Sequence, residues 1–266
     1  MQCLQDYIKE SKNKSFEELA FNELDGAVLS MLVLLDVAKC APKVHRKGIT
    51  FEEYITRYVT LHGTKYVGLL IPPALIRLLS RAKTGSRFKN LIIVDGFSKI
   101  SDKEETQSTF LSVILPDKTR VVLFGSTDDT VVGWQEDFNL LCSSHVPCLD
   151  YAVKYVNDVC KKSEKLIFMG HSKGGFESLY SCAYCDEEIY QKIINAYSFD
   201  GPGYSIDIIS DKRFIRALDK MVLVVPNGGI VGRLFYNPIE PNIVPSKYRG
   251  LIQHDILFCD IFQKQN

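Results

Sequence analysis

One short run of residues is typical of a catalytic serine: positions 170–175 read Gly-His-Ser-Lys-Gly-Gly. The run follows the apolar segment 166–169 and precedes a segment with helical character, 176–185. In a strand–turn–helix unit with the pattern G-x-S-x-G, the backbone bends so sharply that only small residues fit beside the serine. The hydroxyl then stands beside the free N–H groups of a helix N-terminus, which favour developing negative charge. We therefore predict that Ser172 is the nucleophile of an acyl-transfer reaction.

A serine hydroxyl is a weak nucleophile by itself and needs a neighbouring base. In α/β hydrolases the histidine base follows the serine and the acid along the chain. Only His254 lies far enough downstream of Ser172 to take this part. His171 adjoins the serine, and we expect its side chain to point away from the nucleophile. The histidines of the chain are His45, His62, His145, His171 and His254.

The acid that would orient His254 is less sharply defined by the sequence. Asp200 directly follows the predicted strand 194–199, and catalytic acids occupy loops at the carboxyl ends of strands. We prefer Asp200 for this reason, with an aspartate that only caps the turn at 201–203 as the alternative. Residues 226–229, another usual location for the acid, contain no carboxylate, and Asn227 there would orient a histidine without countering its charge. Candidates after the serine include Glu177, Asp186, Asp200, Asp207, Asp211, Asp219 and Glu240.

An oxyanion hole needs two backbone N–H donors. One is expected from Lys173, directly after the serine, and the other from the polar loop that follows the predicted strand 120–124. Thr127 is our candidate in that loop. The side chain of Lys173 begins a helix, where a cation opposes the helix dipole. It either extends into solvent or favours a substrate with an anionic group.

The order of predicted elements indicates the fold. From about residue 130 onward, helices alternate with strands, which is typical of an α/β fold with a mostly parallel sheet and helices on both faces. An antiparallel hairpin near the start of the sheet joins segments 109–115 and 120–124 through a turn at 116–118. We predict a single α/β domain over residues 1–266, with an N-terminal helical segment, about residues 16–83, packed on it. The predicted helices are about 21–39, from 50 onward, 74–83, 134–141, 151–162, 173–185 and 212–220; the other predicted strands are 91–94, 166–169, 194–199, 221–225 and one or two within 243–258.

The composition excludes several classes of partner. The chain has 266 residues, 46% of them hydrophobic, and 32 Lys and Arg balance 32 Asp and Glu. A net charge near zero gives no electrostatic basis for binding nucleic acid or an anionic membrane. The first residues lack the pattern of a signal peptide, and the longest apolar stretch, 27–38, is too short to cross a bilayer. We predict a cytoplasmic protein without stable membrane insertion.

The eight cysteines are scattered along the chain. Cys182 and Cys185 form a C-x-x-C pair, but no second pair follows at the spacing of a zinc site. We expect reduced and mostly buried thiols, and we predict neither a metal nor an organic cofactor.

Four further stretches carry a family resemblance: 21–25, 124–138, 199–203 and 253–255. Together with the serine motif, they resemble, in order, the motifs of a bacterial family of lipase-like α/β hydrolases of unknown function, distantly related to class 3 (fungal-type) lipases. The resemblance spans about residues 16–258. It implies the α/β-hydrolase fold, Ser172 as nucleophile, His254 as base, and Thr127 and Lys173 as oxyanion donors. The chain departs from that family at 124–127, where the usual F-R-G-T is replaced by Phe-Gly-Ser-Thr.

Our first interpretation is a serine hydrolase that cleaves carboxylic esters, of small molecules or lipids, through a Ser172–His254–Asp200 triad. The alternatives are a binding or regulatory protein that keeps the fold without efficient catalysis, and an acyltransferase that uses the same triad. The apolar helix 74–83 is either a core helix, which we favour, or part of an acyl pocket or lid.

Overall fold

The computed structural model describes residues 3–43, 47–64, 72–143, 145–246 and 248–258. The histidine at position 45 and the cysteine at position 259 lie outside these ranges. The helices are α1 Leu4–Ser11, α2 Glu23–Ser30, α3 Val37–Cys40, α4 Phe51–His62, α5 Pro73–Ala82, α6 Ser86–Lys89, α7 Val131–Cys142, α8 Pro147–Val159, α9 Lys173–Tyr184, α10 Glu187–Tyr190, α11 Ile206–Ile209 and α12 Lys212–Ala217. The strands are β1 Ile49–Thr50, β2 Ile92–Ser101, β3 Thr106–Ile114, β4 Arg120–Phe124, β5 Leu166–His171, β6 Ile193–Phe199, β7 Met221–Pro226 and β8 Asn242–Val244.

The eight strands form one sheet whose spatial order follows the chain from β1 to β8. The pairs from β1 to β4 are antiparallel, and the pairs from β4 to β8 are parallel. The predicted hairpin is the β3–β4 pair. A strand was predicted only at 91–94, whereas β2 continues to Ser101 and forms a second hairpin with β3. The strand–turn–helix unit lies in the parallel half, between β5 and α9, where the carboxyl ends of the strands meet at one edge. The chain therefore has the predicted α/β-hydrolase fold.

Apolar side chains cover both faces of the sheet, because successive residues of a strand point to opposite faces. Leu123 and Met169 belong to the core on the side of the N-terminal helices. Phe124 and Phe168 belong to the core that packs against α8 and α9. This two-sided burial explains why the parallel strands are almost continuously apolar in sequence.

The N-terminal segment differs from the prediction in two ways. The expected helix at 21–39 is broken into α2, a 3-10 turn at Leu32–Leu34 and α3. The break occurs at Asp36, whose φ of 21° is incompatible with a continuing helix, and whose carboxylate caps α3 by accepting from the N–H of Lys39. A helix also forms at Leu4–Ser11, where the sequence indicated no regular element. Asn22 caps α2 in a capping box with Asp25, and Thr50 caps α4.

Helix α5 belongs to the core, which was the favoured interpretation. Its residues Leu75, Ile76 and Leu79 are buried in the cluster that covers the sheet. Arg87 connects α6 to α2 within this helical segment, because its guanidinium Nε donates to Asp25 Oδ1 over 2.7 Å and both side chains are fully buried.

The segment 243–258 was predicted to contain one or two strands, but only β8 is extended, and two 3-10 turns follow it. In the part of the chain that is described, no helix has the length and apolarity needed to cross a bilayer.

Candidate active site

The turn between β5 and α9 has the backbone geometry of a nucleophile elbow. Ser172 has φ 57° and ψ −126°, a conformation that is costly for a residue with a side chain. A Cβ atom at Gly170 would lie 2.1 Å from the carbonyl oxygen of Gly174, and one at Gly174 would lie 2.2 Å from that of Phe124. Glycine is therefore required at both positions, which is the reason for the G-x-S-x-G spacing.

Ser172, His254 and Asp200 form a continuous hydrogen-bonded chain. Ser172 Oγ lies 2.8 Å from His254 Nε2, and His254 Nδ1 lies 2.7 Å from Asp200 Oδ2. Because a carboxylate only accepts hydrogen bonds, Nδ1 carries the proton and Nε2 is left to accept from the serine hydroxyl. These three side chains, predicted separately from the sequence, thus lie together in the structure.

Asp200 is held in place by its backbone and by a distant loop. It directly follows β6 and has φ 50°, and its backbone N–H donates to the carbonyl of Val224 over 2.7 Å. Its second carboxylate oxygen, Oδ1, accepts from the N–H of Gly232 over 3.0 Å. The carboxylate is almost fully buried, at 3% exposure. Both oxygens are thus used, one by the imidazole and one by the backbone of the loop after β7.

His171 does not point away from the site as expected. Its ring packs against that of His254 with 4.7 Å between the centroids, and its Nε2 donates to the carbonyl oxygen of His254 over 2.6 Å. Burial, together with the neighbouring His254, lowers the pKa of His171 to about 3 from an ordinary 6.5. His171 is therefore neutral at physiological pH and holds the backbone of His254, the predicted base. The expectation considered only Ser172, whereas the contact of His171 is with a residue 83 positions later in the chain.

Lys173 and Thr127 are the two residues whose backbone N–H groups the sequence predicts as oxyanion donors. Lys173 begins α9, and its N–H, like those at the start of any helix, has no acceptor within the helix. The N–H of Thr127 also has no hydrogen-bond partner among the described residues, while the Thr127 hydroxyl donates to Asp137 Oδ2 over 2.6 Å. Gly174 packs against the carbonyl of Phe124 and the Gly125 backbone, so the start of α9 adjoins the start of the Thr127 loop.

The glycine at 125, where the resembling family has arginine, is explained by a close approach of two strands. The N–H of Gly125 donates to the carbonyl of Thr109 over 2.7 Å. A Cβ atom at Gly125 would lie 2.7 Å from that carbonyl oxygen, closer than real Cβ contacts. The loop that carries Thr127 is therefore drawn against β3 in a way that excludes any side chain at this position.

The side chain of Lys173 was expected either to extend into solvent or to favour an anionic substrate. Both expectations are wrong, because the side chain is buried and its ammonium is bound within the protein. The side chain is 2% exposed. Its ammonium donates to the backbone oxygen and the side-chain Oε1 of Gln107, each at 2.7 Å, and to Glu136 Oε2 at 3.0 Å. Burial by itself lowers the pKa of Lys173, but the surrounding acidic groups, Glu136 among them, outweigh burial and raise it.

Glu136 and Gln107 extend this contact to the Thr127 loop. Glu136 Oε1 accepts from the hydroxyl of Thr106 over 2.7 Å and from the N–H of Cys148 over 3.1 Å. Gln107 Oε1 also accepts from the N–H of Asp128 over 3.3 Å. The residue after the serine is thereby joined through buried polar groups to the residue after Thr127. This network could not be predicted from the sequence. Glu136 lies in a motif of the resembling family, but its function there is not evident, and Gln107 belongs to no motif.

One buried carboxyl near this network lies beside the thiol of Cys148. Glu177, one helical turn after Lys173, is 0% exposed, and neither of its carboxyl oxygens forms a hydrogen bond among the described residues. Burial raises the pKa of Glu177 well above its ordinary value. Burial thus favours the neutral form of this carboxyl, and Glu136 is the carboxylate that contacts the Lys173 ammonium directly.

The C-x-x-C pair lies in the core, apart from the hydrogen bonds of Ser172, His254 and Asp200. Cys182 and Cys185 are free and buried, and burial raises the pKa of Cys185 to about 12. Cys182 lies on the buried side of α9 and Cys185 directly follows its last residue, so the C-x-x-C spacing is a result of packing.

Comparison with known proteins links the chain to one family. The model of the Mbeg1-like family matches residues 82–266, a range that includes Thr127, Ser172, Asp200 and His254. None of the curated proteins matches the chain. Among solved structures, the chain is similar to the crystal structure of M37 lipase, with 16% identity, a TM-score of 0.38, and coverage of 68% of this chain and 69% of that chain.

Proposed function

Because the chain belongs to the Mbeg1-like family and has a lipase-like α/β-hydrolase fold, we propose that it is a serine hydrolase of carboxylic esters. The observation that carries the proposal is the Ser172–His254–Asp200 chain of hydrogen bonds, with 2.8 Å and 2.7 Å between the bonded atoms. These hydrogen bonds occur at a strained elbow. A costly backbone conformation such as that of Ser172 is found mainly at functional sites, and it supports a serine that faces a substrate.

In the proposed reaction, Ser172 Oγ attacks the carbonyl carbon of the ester while His254 Nε2 removes the hydroxyl proton. Asp200 holds the imidazole and stabilises the imidazolium that forms. The N–H groups of Lys173 and Thr127 donate to the carbonyl oxygen as it becomes negative. The C–O bond to the leaving alcohol then breaks, and His254 returns the proton to that alcohol. Water repeats the sequence on the acyl-enzyme and releases the acid.

The direct test is pre-steady-state hydrolysis of a p-nitrophenyl ester. We expect a burst of p-nitrophenolate about equal to the enzyme concentration, because the acyl-enzyme forms before water cleaves it. Ser172→Ala should abolish the burst and the turnover, whereas Ser143→Ala, a change at an exposed serine, should leave both intact. A folded wild-type protein without burst or turnover on esters of several chain lengths would overturn the proposal in favour of the binding or regulatory alternative.

A further inference from the structure

A cleft of about 300 Å³ opens beside the loop that carries Thr127. Its wall includes Ser126, Thr127 and Asp128 from that loop, and Gln107, which binds the Lys173 ammonium. An ester whose carbonyl oxygen lies on the Thr127 N–H would extend one arm past this loop. The cleft thus adjoins the proposed oxyanion donor Thr127, and its volume lies at the lower end of the range of about 300–1,000 Å³ for ligand pockets.

The opposite wall comes from the N-terminal helices and is mainly apolar. Val33, Leu34 and Val37 line it, and Ile100 of β2 lines it as well. An apolar wall of this kind is usual in pockets that bind small organic ligands. It can pack against a short hydrocarbon chain of a ligand.

Tyr58 supplies the observation that points to a polar ligand. It lines the cleft and is 1% exposed, yet its hydroxyl has no hydrogen-bond partner among the described residues. A buried hydroxyl without a partner costs free energy, and such groups in native proteins need an explanation. Its ring packs on that of His62, with 4.8 Å between centroids, so the hydroxyl is held at a fixed place in the wall.

The charged side chains that line the cleft are mainly carboxylates, which disfavour a bound anion. Three carboxylates line the cleft, Asp36, Asp128 and Asp129, and no lysine or arginine is among the described residues that line it. His62 and Lys39 both contact Asp36, at 2.8 Å and 3.2 Å, but Lys39 lies outside the lining. A carboxylate or phosphate in the cleft would meet like charges, which weakens its binding.

We infer that this cleft selects the substrate: a small ester with one short arm that carries a hydrogen-bonding, uncharged or cationic end, such as a hydroxyl or ammonium group, and no anionic group. Tyr58 forms the hydrogen bond to that end, and the three carboxylates reject negative charge. The identity of the reacting bond rests on the proposed function, whereas the selection by the cleft does not.

The experiment uses four p-nitrophenyl esters that differ only at the end of a six-carbon acyl chain: hexanoate, 6-hydroxyhexanoate, 6-(trimethylammonio)hexanoate and the monoester of adipate. We expect kcat/KM for the adipate monoester to be about tenfold or more below that for hexanoate. Tyr58→Phe should lower the ratio of kcat/KM for the hydroxy ester to that for hexanoate by about fivefold, the value of one hydrogen bond.

A charge variant tests the electrostatic part. Ile100 is 53% exposed, so Ile100→Lys adds a cation to the lining without disturbing the core. It should raise kcat/KM for the adipate monoester and lower it for the trimethylammonio ester, each by about threefold or more. Ile206→Lys, at an equally exposed position outside the cleft, is the matched control and should change neither.

Binding to the Ser172→Ala protein, measured by calorimetry with the same four esters, separates the two claims. If this protein binds the esters in the expected order while the wild type does not hydrolyse them, the proposed function fails and the selection by the cleft stands. If the wild type hydrolyses all four esters equally, or if Tyr58→Phe and Ile100→Lys leave the ratios of their kcat/KM values unchanged, the inference about the cleft is overturned while the proposed function stands.

Discussion

The ammonium of Lys173 lies 3.0 Å from the carboxylate of Glu136, and both side chains are buried, at 2% and 0% exposure. Lys173 therefore has two separate tasks: its backbone N–H is a proposed oxyanion donor, and its side chain joins the start of α9 to α7 and β3. Since α7 directly follows the Thr127 loop, this one ion pair connects the two elements that carry the proposed oxyanion donors.

Removal of the Lys173 charge should destabilise the protein strongly. Lys173→Met leaves Glu136 buried without its cation, and we expect the free energy of unfolding to fall by about 3–5 kcal/mol. The double variant Lys173→Met/Glu136→Gln should recover part of that loss, because it no longer buries an unpaired charge. Urea denaturation measures both. Lys154→Met, which removes an exposed pair with Asp158, is the control, and a loss no larger than that of the control would contradict this account.

Glu177 should make the stability of the protein depend on pH in a defined direction. Its pKa is raised in the folded state, so between the ordinary value of 4.5 and the folded value the unfolded chain binds fewer protons than the folded one. The stability contributed by Glu177 is thus present below about pH 4.5 and is lost as the pH rises, by up to about 1.4 kcal/mol per unit. Glu177→Gln removes this dependence.

The measurement for Glu177 is chemical denaturation of wild type and Glu177→Gln at several values from pH 4 to pH 8. The difference in unfolding free energy should shift steadily in favour of the variant as the pH rises. Two parallel curves would mean that Glu177 is ionised in the folded protein and has an unseen partner.

His171 should act on the rate through the position of His254. His171→Phe keeps a ring against the His254 ring but loses the N–H that donates to the His254 carbonyl. We expect kcat to fall by about ten- to a hundredfold, the usual cost of a small misplacement of a catalytic group. Since His171 is neutral above about pH 3, the acid limb of the kcat/KM profile should keep its midpoint. His145→Phe, at an exposed histidine, is the control; a shifted midpoint would show that His171 itself titrates in the reaction.

Asp200→Asn distinguishes the catalytic acid from an aspartate that only caps a turn. The amide oxygen of asparagine can still accept from the N–H of Gly232, so a capping task survives the change. An amide does not stabilise an imidazolium as a carboxylate does, and we expect kcat to fall by a factor on the order of 10³–10⁴. Asp207→Asn, an exposed carboxylate on α11, should leave kcat unchanged. Retention of most activity by Asp200→Asn would make Asp200 a structural residue.

The sequence was most informative where local sterics decide the structure. The glycines at 170 and 174 are required by contacts under 2.5 Å, so the elbow could be recognised from a few residues. Asp200 and His254 were inferred from chain order and from the ends of strands, because parallel strands bring their carboxyl ends to one edge. The alternation of apolar strands and helices in the second half was likewise enough to predict the sheet.

The parts that the sequence did not indicate depend on contacts between distant residues. Lys173 is paired with Glu136, 37 positions earlier, and a lysine that begins a helix is more often solvated. The break at Asp36 also follows from tertiary structure, because the apolar spacing of 21–39 by itself favours one helix. Tyr58 gave no signal, since an aromatic residue on an amphipathic helix is ordinarily part of a core.

The measurement that tests the central claim most directly is labelling with a fluorophosphonate, followed by mass spectrometry of the peptides. Such a probe reacts with a serine only when a neighbouring base activates it. We expect one adduct per chain on Ser172 in the wild type, none in Ser172→Ala, and labelling slowed by at least about a hundredfold in His254→Ala. An unlabelled Ser172 in folded wild-type protein, or labelling that proceeds equally fast without His254, would contradict the account.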